Sequence, residues 1–187
     1  VGYIENGNIE NVNSNVNFEI ISENYFETYI GGVVGYINGN ITDVVNNGKI
    51  KITSNNVKND SDQGEIRGNY IIGGIVGKGN NGTYYNLKNK GDIVFVNNFN
   101  VTVYSYATNY VAGIIGIGNT VYIHDSLNEG NINVNSNSKV TKYGNLEYNV
   151  NLNTKNNVAG IAGKANEIYN AENKGEILSY IVNNPND

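Results

Sequence analysis

The chain has 187 residues and a net charge of −5, with no Cys, Met or Trp and one Pro. The missing cysteines exclude a disulfide framework and thiolate metal sites, and a single arginine among thinly spread charges argues against a nucleic-acid surface. No apolar run reaches the length of a transmembrane helix, so we expect no direct insertion into a membrane. Asn supplies roughly one residue in five and, with Gly, Ile, Val and Tyr, favours strands and turns over helices.

A block of two small residues, two apolar residues and Gly occurs four times, at 31–35, 73–77, 112–116 and 159–163, and residues 1–4 align with 34–37 as part of a fifth copy. A period of roughly 40 residues predicts a repeat architecture. We expect one repeat domain over 1–187, with repeats at about 1–29, 30–70, 71–109, 110–156 and 157–187. Because the chain lacks Met and begins inside a repeat, it is expected to be a fragment of a longer chain, with any targeting signal outside it. The glycines that define the block are Gly32, Gly35, Gly74, Gly77, Gly113, Gly116, Gly160 and Gly163.

A second segment, Asn-x-Gly-x-Ile, follows the block in fixed register in four repeats. Its asparagines are Asn46, Asn89, Asn128 and Asn173. The first repeat keeps the apolar positions but has Ser14 and Val16 in place of Asn and Gly. We expect the four Asn amides to hydrogen-bond along the repeats as a ladder, the alternative being that Asn only marks turns. The paired glycines are expected at corners that need positive φ or a close backbone approach.

Alternation of apolar and polar residues after the Asn, as in 48–52 and 130–134, is typical of strands with one buried face. The segments are too short and too rich in Gly and β-branched residues for paired helices. Each repeat is therefore predicted to form a β-coil that stacks on the next, with equivalent strands parallel and about 4.8 Å apart. The predicted fold is all-β, a parallel β-helix (β-solenoid) of about five coils.

Three insertions, 51–70, 94–110 and 133–157, repeat poorly. They are predicted to form hairpin-like strands on one side of the solenoid, on the face where repeat proteins often bind their partners. Four tyrosines in them form the candidate binding surface, Tyr104, Tyr106, Tyr143 and Tyr148. Exposed Tyr can stack on sugars or anchor a protein, whereas the alternative is that these rings seal the hairpins onto the solenoid.

The candidates for catalysis and metal binding are few. His124 and Asp125 are adjacent in a strand, where neighbouring side chains point to opposite faces. The acidic segment 59–65 lacks the ligand spacing of an EF-hand. Glu167, Glu172 and Glu176 fall in one repeat, but carboxylates do not recur at one position across repeats, as a catalytic groove would require. We therefore predict no catalytic residues, no metal and no cofactor.

The Gly block coupled to Asn-x-Gly-x-Ile resembles the GLUG repeat of bacterial surface and secreted proteins, which include large adhesins and the region ahead of the protease domain in IgA-specific metallopeptidases. The resemblance covers nearly the whole chain, with Val33, Ile75, Ile114 and Ile161 in place of the usual Leu. It implies a right-handed parallel β-helix on an exported bacterial protein, located extracellularly or at the cell surface, and no catalytic residues in the repeat itself.

The predicted function is therefore a non-catalytic spacer and adhesion or protein-interaction surface. Its partners would be a host protein or glycan and the flanking domains of the same chain. Two alternatives stay open, an accessory N-terminal region of a secreted metallopeptidase and a carbohydrate-active β-helix enzyme.

Overall fold

A computed structural model describes residues 2–23, 26–57, 68–101, 105–140 and 152–184. Within these ranges the chain forms strands and turns and no helix. The strands in chain order are β1 (Tyr3–Ile4), β2 (Ile9–Ser14), β3 (Phe18–Ser22), β4 (Thr28–Gly31), β5 (Val34–Asn38), β6 (Ile41–Asn46), β7 (Ile50–Val57), β8 (Tyr70–Gly73), β9 (Val76–Asn89), β10 (Ile93–Val101), β11 (Ser105–Ala112), β12 (Ile115–His124), β13 (Leu127–Asn128), β14 (Ile132–Val140), β15 (Leu152–Ala159), β16 (Glu167–Tyr169), β17 (Glu172–Asn173) and β18 (Ile177–Asn184).

The strands form three sheets, and every pairing between described strands is parallel. The first sheet contains β1, β2, β5, β6, β9, β12, β13, β16 and β17, the second contains β3, β7, β10, β14 and β18, and the third contains β4, β8, β11 and β15. The chain visits the three sheets in the same order in each repeat, so each strand pairs with its equivalent one repeat away. These stacked parallel sheets confirm the all-β prediction and are compatible with a β-solenoid.

The strand register matches the alignment of the repeats made from the sequence. Tyr3 lies opposite Tyr36, as the alignment of 1–4 with 34–37 predicts. Ser14 lies opposite Asn46, which places the divergent first copy in the same register. The Ile residues of Asn-x-Gly-x-Ile are paired across neighbouring repeats in the second sheet, as Ile50, Ile93, Ile132 and Ile177.

The prediction of hairpin-like insertions is wrong for the parts of them that the structure describes. Residues 51–57, 94–101 and 133–140 continue strands of the second sheet, and 105–110 and 152–157 belong to the third. Phe95, for example, lies opposite Ile52 on one side and Val134 on the other. Period-two alternation indicates a half-buried strand but not its partner, because a strand in a hairpin and one in a parallel stack alternate alike.

The predicted Asn ladder is present and buried. The Nδ2 atom of Asn46 donates to Oδ1 of Asn89 at 2.9 Å, Asn89 donates to Asn128 at 2.8 Å, and Asn128 donates to Asn173 at 2.7 Å. Each of the four amides also donates to the carbonyl oxygen of the Gly two residues later, at 2.8 or 2.9 Å. The first three side chains are fully buried, and their hydrogen bonds offset the cost of removing the amides from water.

Close approach, rather than positive φ, explains the glycines of the block. A Cβ atom on Gly74 would lie 2.1 Å from the carbonyl oxygen of Gly113 and 2.5 Å from Cγ of Asn89. On Gly77 it would lie 2.5 Å from the carbonyl oxygen of Gly35. Among the described glycines only Gly39 has positive φ. The ladder side chain thus packs against the Gly at the second position of the block. The same contact is made in the other repeats, by Gly32 with Asn46, Gly113 with Asn128 and Gly160 with Asn173.

A left-handed residue lies three positions before the ladder Asn in four repeats and three positions before Ser14 in the first. The residues are Asn11, Asp43, Asn86, Asp125 and Asn170, with φ between 49° and 56°. Asn and Asp tolerate this conformation better than other non-glycine residues, so they suit a turn repeated at one corner of the stack. This position was not predicted from the sequence.

The inward apolar side chains are buried only in repeats that have a neighbouring repeat on both sides. Ile123 and Ile132 in an inner repeat are buried, whereas the equivalent Ile168 and Ile177 in the last repeat are 47% and 38% exposed. A single repeat therefore leaves apolar side chains open and acquires its core from the repeat stacked on it.

Replacing Gly74 by Ala should destabilise the chain far more than replacing Gly2 by Ala. At position 74 the new methyl group would clash with Gly113 and Asn89, at a cost of about 3 kcal/mol or more in the free energy of unfolding. A Cβ atom on Gly2 would meet no other heavy atom within 4 Å, so that site accepts a methyl group. Urea unfolding of both variants tests this, and equal losses of stability would contradict the account.

Candidate functional site

Three of the residues considered for catalysis, His124, Asp125 and Glu172, contact other side chains, whereas Glu167 and Glu176 are exposed. The His124 ring lies 5.9 Å from the Tyr169 ring, and Asp125 accepts a hydrogen bond from Asn170. Glu172 lies 3.4 Å from the Lys174 ammonium. Among the described residues no group of three or more His, Cys, Asp or Glu side chains could hold a metal ion, and no helix has the length and apolarity of a membrane span. The acidic segment 59–65 lies outside the described residues.

The predicted Tyr surface is largely outside the described residues too. Tyr104, Tyr143 and Tyr148 lie there, and of Tyr106 the structure describes only the backbone, which pairs with Asn153 in the third sheet. The binding role of these four residues stays a prediction.

A different tyrosine cluster lies on the outer surface, where the first and third sheets meet near the first repeats. Tyr3 and Tyr36 occupy paired positions in β1 and β5, and their rings stack at 4.5 Å with an angle of 8° between their planes. The ring of Tyr29, in β4, lies 6.1 Å from that of Tyr36. Parallel strands about 4.8 Å apart place outward side chains at stacking distance. Tyr3 is 60% exposed, so the ring pair formed by Tyr3 and Tyr36 has aromatic surface in contact with solvent.

Charged groups surround these rings. Lys78 lies in β9 opposite Tyr36, and its Nζ is 4.7 Å from the centroid of the Tyr29 ring, the geometry of a cation–π contact. The same ammonium donates to the Tyr29 hydroxyl at 3.0 Å and lies 3.6 Å from the Glu27 carboxylate. The hydroxyls of Tyr29 and Tyr3 donate to Glu27 and Glu5 respectively. We call Tyr3, Tyr29, Tyr36, Glu5, Glu27 and Lys78 the tyrosine–glutamate patch.

The patch shifts the pKa values of its own groups. The hydrogen bond to the Glu5 carboxylate, above all, raises the pKa of Tyr3 to about 12. Burial and the hydrogen bond to Glu27 raise the pKa of Tyr29. Burial alone would lower the pKa of Lys78, but the Tyr29 hydrogen bond and the charge of Glu27 outweigh it, and the pKa is raised. At neutral pH Tyr3 and Tyr29 are therefore neutral and Lys78 is charged.

Part of this patch was visible in the sequence. Aligning 1–4 with 34–37 puts Tyr3 and Tyr36 at one position of neighbouring repeats, which implies their stacking. The contact between Tyr29 and Lys78 joins two sheets and two residues that are 49 positions apart in the sequence. It could not be predicted without knowing how the sheets are arranged around each other.

A groove of about 580 Å³ lies beside the last two described repeats. Its lining includes the carboxylates of Asp125 and Glu172 together with Ser126, Leu127, Ile168, Asn170 and Ala171. Two carboxylates in one groove are what glycoside hydrolysis uses. Here both already have partners, Asn170 and Lys174, so the groove is the weaker of the two candidate sites.

Comparisons with protein-family models, with curated proteins and with solved structures each gave no match. The resemblance to the GLUG repeat therefore stays a prediction.

Replacing Glu5 by Gln should lower the pKa of Tyr3 toward its ordinary value near 10, because the carboxylate that disfavours the tyrosinate is removed. The raised pKa means that the folded state holds this proton more tightly than the unfolded state. Its contribution to stability is present below pH 10 and is lost as the pH rises to about 12. NMR titration of labelled tyrosines, with the Tyr3 signal assigned from Tyr3→Phe, measures the shift. Glu10→Gln in the same repeat is the control, and an equal shift in it would contradict the assignment.

Proposed function

We propose that this chain is a non-catalytic segment of a right-handed parallel β-helix that serves as a spacer and protein-interaction surface on a bacterial cell-surface or secreted protein. The buried Asn ladder carries the proposal, since it continues one hydrogen-bonded column through four repeats and makes a rigid stack. Connections between parallel strands of one sheet are right-handed in nearly all proteins, which supports that hand. About five coils at about 4.8 Å each would span about 24 Å, a short part of any stalk.

The use of the polar side chains supports a structural role. His124, Asp125 and Glu172 contact neighbouring side chains. The tyrosine–glutamate patch combines aromatic and charged side chains on the outer surface. A protein partner is favoured there, because Tyr residues are frequent anchors of protein interfaces.

A carbohydrate-active enzyme is the second candidate, and the groove with Asp125 and Glu172 is what favours it. In that case the purified chain would cleave a polysaccharide, and Asp125→Asn or Glu172→Gln would abolish the cleavage. An accessory region of a metallopeptidase is a further alternative, which a His-Glu-x-x-His motif elsewhere in the same reading frame would favour.

Surface location is the most direct test of the proposed function. Antibodies raised against the purified chain should label intact cells or the culture medium of the bacterium that produces it, without permeabilisation. Labelling that requires lysis would contradict the proposal. Release of reducing ends or of unsaturated sugars from polysaccharides by the purified chain would contradict its non-catalytic part.

A further inference from the structure

The interior face of the second sheet changes from apolar to polar along its strands. In β10 the inward residues Ile93 and Phe95 are followed at the next inward position by Asn97. Ser54 and Ser136 lie opposite Asn97 in the neighbouring repeats, and all three polar side chains are fully buried. Each of the three has a paired residue in the repeat on either side, so their burial belongs to the inside of the stack.

Two residues of this polar row lack hydrogen bonds. Among the described residues, neither Nδ2 nor Oδ1 of Asn97 has a hydrogen-bond partner, and neither has Oγ of Ser54. Taking an amide or a hydroxyl out of water without replacing its hydrogen bonds is costly, and buried polar groups are therefore nearly always paired. The equally buried amide of Asn89 in the first sheet follows this rule, since it bonds to two ladder residues and to a carbonyl. The atoms of Asn97 and Ser54 therefore need a partner that the neighbouring side chains do not supply.

The next repeat shows why the facing sheet does not supply it. Ser136 and Asn156 bond to each other across the interior, at 3.0 and 3.2 Å. Asn109 occupies the position of Asn156 one repeat earlier, where it would face Asn97. Its amide nitrogen instead donates along the stack to Asn156 at 3.0 Å, and its oxygen accepts from the backbone nitrogen of Tyr70 at 3.2 Å. The Asn109 amide is thus engaged along the stack rather than across it.

We propose that the stack holds buried water beside Asn97, which bridges the Asn97 amide to the Ser54 hydroxyl. Buried waters typically make two to four hydrogen bonds to polar groups that the protein leaves unpaired. Equivalent positions on neighbouring strands are about 4.8 Å apart, a separation that one water spans with two hydrogen bonds. An amide has a donor and an acceptor, and water serves either one, whichever is turned toward Ser54. The polar row carries no charged side chain, so a neutral ligand fits it.

The test is a water-selective NOE and ROE measurement by NMR on the whole isotope-labelled chain. The side-chain amide protons of Asn97 should give cross-peaks to water whose sign identifies a through-space contact with long-lived water rather than proton exchange. Asn97→Ser removes this signal and so assigns it, and it places at this position the residue that both neighbouring repeats have. Asn89 is the control, because both protons of its amide bond to the protein, to Asn128 and to Gly91, and it should give no such peak.

Two serine variants test the bridge itself. Ser54→Ala removes one of the two groups that hold the water, so it should lower the intensity of the Asn97 cross-peak at least about twofold. Ser138→Ala removes a buried hydroxyl of the same sheet that already has a partner, Thr154 at 3.4 Å, and should leave the peak unchanged. Circular dichroism and urea midpoints show that both variants fold.

Four results would each overturn the proposal: no through-space peak between water and Asn97, an equal peak at Asn89, a peak at Asn97 that Ser54→Ala leaves unchanged, or equal losses in the two serine variants. Surface labelling of the producing bacterium does not depend on these results, so the proposed function fails or stands separately.

Discussion

The contact between the buried Asn ladder and the Gly at the second position of each block is the constraint on which the rest of the structure depends. Asn89 bonds along the stack to two other ladder residues and within its own turn to the carbonyl of Gly91. Its side chain lies where any side chain on Gly74 would have to be. The Gly block and the Asn-x-Gly-x-Ile segment, which identify the repeat in the sequence, therefore pack directly against each other. That contact fixes the spacing of neighbouring repeats, so it sets the register of all three sheets.

A fixed scaffold of this kind leaves the outward positions open to vary. At the position of Tyr36, neighbouring repeats have Tyr3 and Lys78, whereas the ladder position on the inside is Asn in four repeats. Stacking brings equivalent outward side chains within contact distance, so substitutions in successive repeats combine into one surface. The tyrosine–glutamate patch arises in this way, from outward residues of three repeats held by a core that tolerates little change.

Register was the part of the fold that the sequence could predict, because inward residues recur at fixed offsets from the ladder Asn. The partner of each strand in the insertions could not be predicted, since Phe95 and Val134 alternate with polar neighbours as residues of a hairpin would. The left-handed corner has Asn or Asp three positions before the ladder Asn, or before Ser14 in the first repeat. Because Asn is frequent throughout the chain, this recurrence did not distinguish the corner from other positions. The tyrosine–glutamate patch was half predictable, since Tyr3 and Tyr36 align, whereas the approach of Lys78 depends on how the sheets meet.

A double-mutant cycle on Gly74 and Asn89 tests the central contact most directly. Asn89→Ala alone should cost about 3 kcal/mol, because it removes three buried hydrogen bonds, those of Asn89 with Asn46, with Asn128 and with the carbonyl oxygen of Gly91. Gly74→Ala alone should cost a similar amount through its clash with the Asn89 side chain and the backbone. If the two positions form one contact, the double variant loses at least about 1 kcal/mol less than the sum of the single variants, because the new methyl group no longer meets the amide. Additive losses, within about 0.5 kcal/mol, would contradict the account.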